Sequence, residues 1–378
     1  MLSSRLTVVQ MLPALASGGV ERGTLEVGAY LSANGHRSIV ISAGGRMVKK
    51  LLEQGSEHVE WTIGKKSIFT IKLVSRLRKF LEKEHVDILH VRSRFPAWIA
   101  YLTWKEMDPK TRPAFVTTVH GPYSVSGYSA VMIKGERVIV ISEMIRDYVT
   151  SQYEVDSEKL RLIYRGVDAD EFPYQYQPKP SWLKTWYYEY PKTLNTNILV
   201  LPARVTKWKG HEDFIDLVIQ LRKHTLDFHA LIVGEVKKGK SGYLKKLEKK
   251  VKDAGMSDII TFVGHRDDLR EIMAISKIVY SLSLEPEAFG RTTLEALSLG
   301  IPVIGYSHGG VSEQLAAILP EGRIDVGNVA EAAMLTLSWL HKPPQVAMSQ
   351  TFSLQQMLEK TMAVYRELAE QRQQGSAG

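Results

Sequence analysis

The 378-residue chain contains no cysteine, which excludes disulfides, cysteine-ligated zinc and thiol nucleophiles and suits a reducing compartment. Histidine or carboxylate metal sites stay open. No run of about 18 apolar residues is present to span a bilayer, and the opening MLSSRLTVVQML has too short an apolar stretch and no small-residue cleavage site for a signal peptide. A cytoplasmic protein is expected. There is no repeat at a fixed short period, and the polar tail QRQQGSAG, which reads as frayed, is the one biased segment. What is present is 44% hydrophobic content, enough for two cores, since single domains rarely exceed about 250 residues. The formal charge of +8 points to anionic partners, a class that includes nucleic acid, acidic lipid and phosphorylated substrates.

Short β-branched runs alternate with helical patterns, the signature of parallel sheets built from βαβ units. The first half offers strands over Leu6 to Leu12, Ser38 to Ser42, Val86 to His90, Phe115 to Val119, Arg137 to Ile141 and Leu160 to Tyr164. Helices are expected over Val20 to Ala33, Phe69 to Glu84 and Ser142 to Gln152. The stretch from Phe172 to Thr196, with Pro173, Pro178, Pro180 and Pro191 among many aromatics, reads as a linker rather than a packed element. A second series follows with strands over Ile198 to Pro202, Phe228 to Val233, Ile259 to Val263, Ile278 to Leu282 and Pro302 to Gly305. The pattern predicts an α/β protein of two doubly wound, Rossmann-like domains facing across a cleft. Boundaries fall at 1–172 and 197–345, with a linker over 173–196 and a helical segment over 346–378 that can cross back to the first domain.

The richest stretch for chemistry is Glu285 to Pro302, EPEAFGRTTLEALSLGIP, which sets Glu287 and Glu295 around a Phe-Gly turn. Leu294, Leu297 and Leu299 with small Ala296 predict a short helix from about Thr292 to Gly300. Its first amides, over Gly290, Arg291, Thr292 and Thr293, offer a resting place for a diphosphate. Glu295 can then accept hydrogen bonds from a ribose diol, and Glu287 can reach sugar hydroxyls; a solvated acidic turn before an ordinary helix is the plainer reading. Gly18 and Gly19 follow a predicted strand, so bare backbone can approach a phosphate, or simply turn. They do not form G-x-G-x-x-G, which argues against a nicotinamide enzyme. Arg204 and Lys209 follow the strand NILVLPA, where ligands bind in open α/β sheets, and two fixed cations there offset charge on a departing diphosphate; helix-end charges facing water are the alternative. His120 follows another buried-looking strand and belongs at the cleft edge, unless it is a satisfied surface histidine. Asp168-Ala169-Asp170 looks like a metal-holding D-x-D pair but directly follows the strand LRLIYRG, where Asp is a turn residue. No other carboxylate cluster has metal spacing, so no metal is expected.

Five separated segments, in order, resemble glycosyltransferase family 4, retaining enzymes of the two-domain GT-B fold. They are Gly18-Gly19-Val20-Glu21-Arg22, Thr118-Val119-His120-Gly121, Gly166-Val167-Asp168 with Phe172, Arg204 with Lys209-Gly210, and Glu287-x7-Glu295. The resemblance covers nearly the whole chain. It implies an acceptor-side N-terminal domain, a C-terminal domain for a nucleotide diphosphate sugar, and closure that brings Gly19 and His120 to the sugar and phosphate. Catalytic roles fall to His120, Glu287, Arg204 and Lys209. The donor set adds Gly18, Gly19, Arg266, Phe289, Gly290, Arg291, Thr292 and Glu295, with no cofactor and no nucleic acid. Retention without a nominated nucleophile implies same-face attack in which the leaving phosphate takes the acceptor proton.

The segment His90 to Trp98, HVRSRFPAW, is similar to one in enzymes that build lipopolysaccharide core. It implies a phosphorylated, membrane-attached glycan acceptor contacted by Arg92 or Arg94. Lys65 to Lys83 and Tyr243 to Ala254, the latter after Lys237, Lys238 and Lys240, are lysine-rich amphipathic helices. They face the core with a solvated basic back, or touch the inner face of an anionic membrane. Three departures stand out: Glu235 and Val236 after Gly234, Arg165 in place of a frequent Asn, and the aromatic load at Trp182, Trp186, Tyr187, Tyr188 and Tyr190. The last is a packed connection or a lipid-facing lip. A sugar-nucleotide epimerase or phosphorylase of similar fold, or an inactive nucleotide-sugar-binding scaffold, are the rival functions.

Overall fold

The computed structural model describes residues 5–16, 18–64, 70–224, 226–236 and 241–376. The chain forms two compact units, one running to Arg165 and resumed from Gln355, the other spanning Gly166–Leu354.

The first unit carries strands β1 (Thr7–Met11), β2 (Arg37–Ser42), β3 (Glu57–Glu60), β4 (Ile88–Val91), β5 (Ala114–Val119), β6 (Arg137–Val140) and β7 (Leu160–Leu162). Its helices are α1 (Gly19–Ala33), α2 (Val48–Glu53), α3 (Thr70–Lys83), α4 (Arg94–Glu106) and α5 (Glu143–Gln152). All strand pairs are parallel, in the order β3-β2-β1-β4-β5-β6-β7. Strands β4 and β5 are buried along their whole length, as helices on both faces require. The order reverses between β1 and β4, and residues just beyond those carboxyl ends are where such sheets bind ligands.

The second unit has helices α6 (Pro180–Glu189), α7 (His211–Leu221), α8 (Ser241–Asp253), α9 (Leu269–Ala274), α10 (Arg291–Ser298), α11 (Gly309–Ile318) and α12 (Val329–His341). Strands β8 (Asn197–Pro202), β9 (Phe228–Val233), β10 (Ile260–Gly264), β11 (Ile278–Ser281), β12 (Val303–Tyr306) and β13 (Arg323–Ile324) form a parallel sheet ordered β10-β9-β8-β11-β12-β13. Its reversal lies between β8 and β11. The last helix, α13 (Leu354–Ser376), packs with the first unit from Gln355 onward and is helical through Gln371–Ser376, where fraying was expected; Ala377 and Gly378 lie outside the described residues.

The proline-rich stretch holds a helix rather than a bare linker. Pro180 opens α6 at a position where its missing N–H costs nothing. Trp186 is 1% exposed, stacked 5.3 Å from Trp182 with the tilted Tyr190 ring 4.4 Å away, and its Nε1 donates to Thr193 Oγ1 at 3.0 Å. The aromatic load is therefore packing, with Tyr188 alone fully outside it. The compact division also falls at Arg165 rather than 172.

Both lysine-rich helices spend their apolar stripes on the core. In α3, Val74, Leu77 and Leu81 are buried, and Val74 O accepts from Thr103 Oγ1 of α4. In α8, Leu247 and Val251 are buried while Lys246 and Lys250 pair with Glu212 and Asp216 of α7. Lys65 to Phe69, the side chain of Ile71, and Lys237, Lys238 and Lys240 lie outside the described residues. Among the described residues no helix is long and apolar enough to cross a membrane.

Candidate active site

In the second unit the site grows from backbone that only glycine permits. Gly210 sits at φ 71°, and a Cβ there would lie 1.9 Å from Leu282 O. A Cβ on Gly234 would lie 1.9 Å from Ala203 O, just past β8. These two close approaches draw the segment after β8 against the ends of β9 and β11. Lys209, held before Gly210, points its Nζ to Glu287 Oε1 at 2.6 Å, and Ser283 Oγ donates to the same oxygen at 2.6 Å. Both charged side chains are largely shielded, at 12% and 19% exposure. Lys209 Nζ also lies 4.2 Å from the centre of the Trp208 ring. Arg204 stands exposed at the same strand end and has no hydrogen bond or ion pair among the described residues.

Glu287 is followed by the turn that launches α10. Gly290 caps this helix at φ 86° without a side-chain hydrogen bond, so the first amides, over Arg291 to Thr293, keep their donors. The turn is braced from α11: Gly310 N donates to Glu287 O at 2.8 Å, and Gln314 Nε2 donates to Gly290 O at 3.3 Å. A Cβ on Gly310 would lie 2.5 Å from Phe289 Cα, which explains a glycine pair that sequence reasoning missed. Phe289 itself is core, edge-on to Phe352, so only its backbone is available to a ligand. Glu295 is 7% exposed, one turn into α10, with Arg291 Nε 3.5 Å from its carboxylate. Thr292 is half-buried in the first turn.

Arg266 does not join this group. Its guanidinium is bidentate to Asp268 at 2.8 Å and reaches Glu189 at 3.2 Å, above the Trp186 ring. Two carboxylates already neutralise it, and they raise its pKa above the usual guanidinium range. It ties α6 to the β10 to α9 connection. Asp168 accepts the Asp170 N–H at 3.0 Å and so serves its turn. Among the described residues no group of three or more His, Asp or Glu side chains is arranged to hold a metal.

In the first unit, Gly18 caps α1 at φ 134° and Gly19 is the first helical residue. His120 follows β5, and Arg165 Nη2 donates to its Nδ1 at 2.7 Å. A guanidinium can only donate, so Nδ1 must accept and the ring proton resides on Nε2. Burial first, then the charges of Arg165 and Arg92 and the neighbouring His90, hold the His120 pKa well below its ordinary value. His120 is thus a neutral hydrogen-bond donor. Arg165 packs closely on α1, where a Cβ on Gly23 would lie 2.6 Å from its Nη1.

Arg92 is not the surface anion contact that the sequence suggested. It is 2% exposed, its Nε and Nη2 donate to Gln10 Oε1 at 2.9 and 2.7 Å, and Gln10 in turn donates to Thr24 O. Beside it, His90 bridges Tyr365 of α13 and Thr118 of β5 at 2.6 Å each. Arg94 is partly exposed, stacked near Tyr123 and Tyr128 and within reach of Ser129 Oγ at 3.2 Å. Sequence reasoning noted Arg165 only as a departure, without its contact to His120, and missed the Gln10, His90, Tyr365 layer. The available signal was polar residues inside otherwise apolar strands.

Two parallel α/β units, one ending its central strands in paired cations and glutamates beside an uncapped helix, define a GT-B glycosyltransferase that uses a nucleotide sugar. The family model Glycosyltransferase Family 4 matches residues 17–171, and Glycosyl transferases group 1 matches residues 186–352. A glycosyltransferase structure from Rickettsia africae ESF-5 is 30% identical, with TM-score 0.86 over 97% of this chain and 99% of that one. The chain belongs to glycosyltransferase family 4, a family of retaining enzymes. It is 25% identical to N-acetyl-alpha-D-glucosaminyl L-malate synthase of Bacillus anthracis over 80% of this chain and 78% of that protein. It is 26% identical to a lipopolysaccharide core biosynthesis mannosyltransferase of Rhizobium meliloti (strain 1021) over 44% and 50% respectively.

Proposed function

We propose that the chain moves a hexose-like sugar from a nucleotide diphosphate sugar to a phosphorylated glycan or glycolipid acceptor, without a metal, in lipopolysaccharide or other cell-envelope glycan synthesis. The observation that carries the reading is the Lys209 to Glu287 contact at 2.6 Å beside the uncapped start of α10. In this reading Glu295 holds the ribose, Arg204, Lys209 and the amides of Arg291 and Thr292 hold the diphosphate, and Glu287 with the Gly290 backbone holds the sugar. The domain that contains these groups is the donor domain. The bond from the anomeric carbon to the phosphate oxygen breaks while the bond to the acceptor oxygen forms on the same face. The acceptor proton passes to the departing phosphate oxygen, and the two cations offset the charge that develops there. His120, neutral with its proton on Nε2, serves as a hydrogen-bond donor rather than a base, and Gly18 and Gly19 supply bare backbone.

The envelope-glycan assignment draws on the segment His90 to Trp98 and on the lipopolysaccharide mannosyltransferase likeness. With Arg92 buried, Arg94 is the cation of that segment left to meet an acceptor phosphate. Work in the cytoplasm at the inner membrane face fits such an acceptor, with contact through charge because the apolar stripes of α3 and α8 are spent. The test is incubation with UDP-, GDP- and ADP-sugars and phosphorylated glycan acceptors in excess EDTA, with the product anomer read by NMR. A retained anomer formed in EDTA supports the reading. An inverted anomer, or turnover only after a divalent cation is added, contradicts it.

A further inference from the structure

The first unit carries a cavity at the opposite ends of its strands from His120 and Gly18. It lies at the amino ends of β1, β4 and β5, framed by Leu6, Val86 and Pro113 and by Ala369 of α13, and has a volume of about 500 Å³. Four cations line it, Arg5, Lys110, Arg112 and Arg372, against the single carboxylate of Asp87. That carboxylate is engaged, its Oδ2 accepting the Thr7 N–H at 2.7 Å.

The two inner arginines are fixed in place. Arg372 Nη1 donates to Arg112 O at 2.6 Å while its Nη2 holds Glu136 at 2.8 and 3.0 Å. Arg112 lies with its guanidinium carbon 3.4 Å from the centre of the Trp104 ring and donates through Nη1 to Trp104 O at 3.3 Å. Its Nε is buried without an acceptor. Burial pulls the Arg112 pKa down, the Glu136 carboxylate opposes that shift, and the charge of Arg372 adds to it more weakly. Arg5 and Lys110 stand exposed at the rim. A guanidinium laid on the Trp104 ring, a second guanidinium beside it and two exposed cations at the rim form a receptor for a tetrahedral dianion.

We propose that this cavity binds a phosphate monoester, carried by a small soluble molecule or by an anionic lipid headgroup. Its volume falls within the range of small-ligand clefts, about 300–1,000 Å³. None of its residues belongs to the donor site, so the inference stands apart from the transfer reaction.

The test is calorimetry on the full chain with glycerol 3-phosphate, alongside sedimentation with phosphatidylcholine vesicles with and without phosphatidic acid. Variants are Lys110→Gln, Arg112→Gln and Arg5→Gln, with Lys209→Ala as the donor-site control. Saturable binding of either probe, weakened about tenfold or more by Lys110→Gln or Arg112→Gln and unchanged in Lys209→Ala, is expected; a tenfold loss is about 1.4 kcal/mol. Lys110 and Arg5 are exposed, so their variants stay informative if Arg112→Gln fails to fold. Response to glycerol 3-phosphate alone assigns a soluble ligand, and variant-sensitive sedimentation with phosphatidic acid assigns a headgroup. No saturable binding of either probe, binding insensitive to all three cavity variants, or binding lost in Lys209→Ala overturns the proposal.

Discussion

Replacing Lys209 by Met keeps an unbranched apolar stem beside Trp208 and removes only the charge. Two consequences differ in size. Breaking a fully buried ion pair costs about 3–5 kcal/mol because a bare charge remains. Here the side chains keep 12% and 19% exposure, and Ser283 still donates to Glu287 at 2.6 Å. The loss of folding stability should therefore be about 1–2 kcal/mol, which a domain of about 5–15 kcal/mol tolerates. The kinetic effect is larger. A preorganised cation facing charge that develops on a leaving group is worth about 10²–10³ in kcat. Release of nucleoside diphosphate from a panel of nucleotide sugars gives the rate, and urea unfolding of the same preparation gives the stability. Glu287→Gln and the double variant close the cycle and separate pair energy from catalysis. If Lys209→Met retains kcat within about threefold of wild type while losing the expected stability, the pair is a structural brace and the diphosphate role is refuted.

Arg165→Gln should free the His120 ring: nitrogen NMR of the wild type should show a bare Nδ1 and a protonated Nε2 at neutral pH, and the variant's titration should move up toward the ordinary histidine value. A wild-type spectrum with Nδ1 protonated would refute the donor assignment. His211 and His229 are held at about 4 by burial, below about 6.5 in the unfolded chain. The unfolded chain then binds more protons between these values, so stability is full above about pH 6.5 and falls by a few kcal/mol toward pH 4. Urea midpoints should follow that slope and flatten in His229→Gln; a slope of opposite sign would contradict it. Arg266→Gln should lower stability by about 1 kcal/mol with donor KM unchanged, since the guanidinium is held by Asp268 and Glu189. A large rise in KM would restore it to the donor site.

Strands such as β5 and β9 were legible because six consecutive buried positions are mostly β-branched or apolar, with Thr117, Thr118 and His229 as the polar members. Strand β3, Glu57–Glu60, was not, because an edge strand with half-exposed residues has no such run. Helix α4 escaped notice because Pro96 reads as a breaker, yet it falls in the first turn, where proline is tolerated. The paired glutamates and the Lys209-Gly210 step were visible as local spacing, and the fold brings Lys209 to Glu287 across 78 positions. Partner choice is what sequence hides. Arg266 and Arg92 looked like available cations, and only the fold shows the Asp268 and Glu189 pair on one and the Gln10 carbonyl buried with the other.

The proposed donor site in the second unit, which would read the nucleotide through Glu295, is the assignment on which the other roles depend. Calorimetric titration of the full chain with UDP, GDP and ADP in excess EDTA, repeated on Glu295→Gln, tests it directly. One nucleotide should bind, with affinity about tenfold or more lower in the variant, as expected for loss of a charged acceptor to a ribose diol. Binding that ignores the Glu295 change, or failure of all three nucleotides with and without a divalent cation, would contradict it.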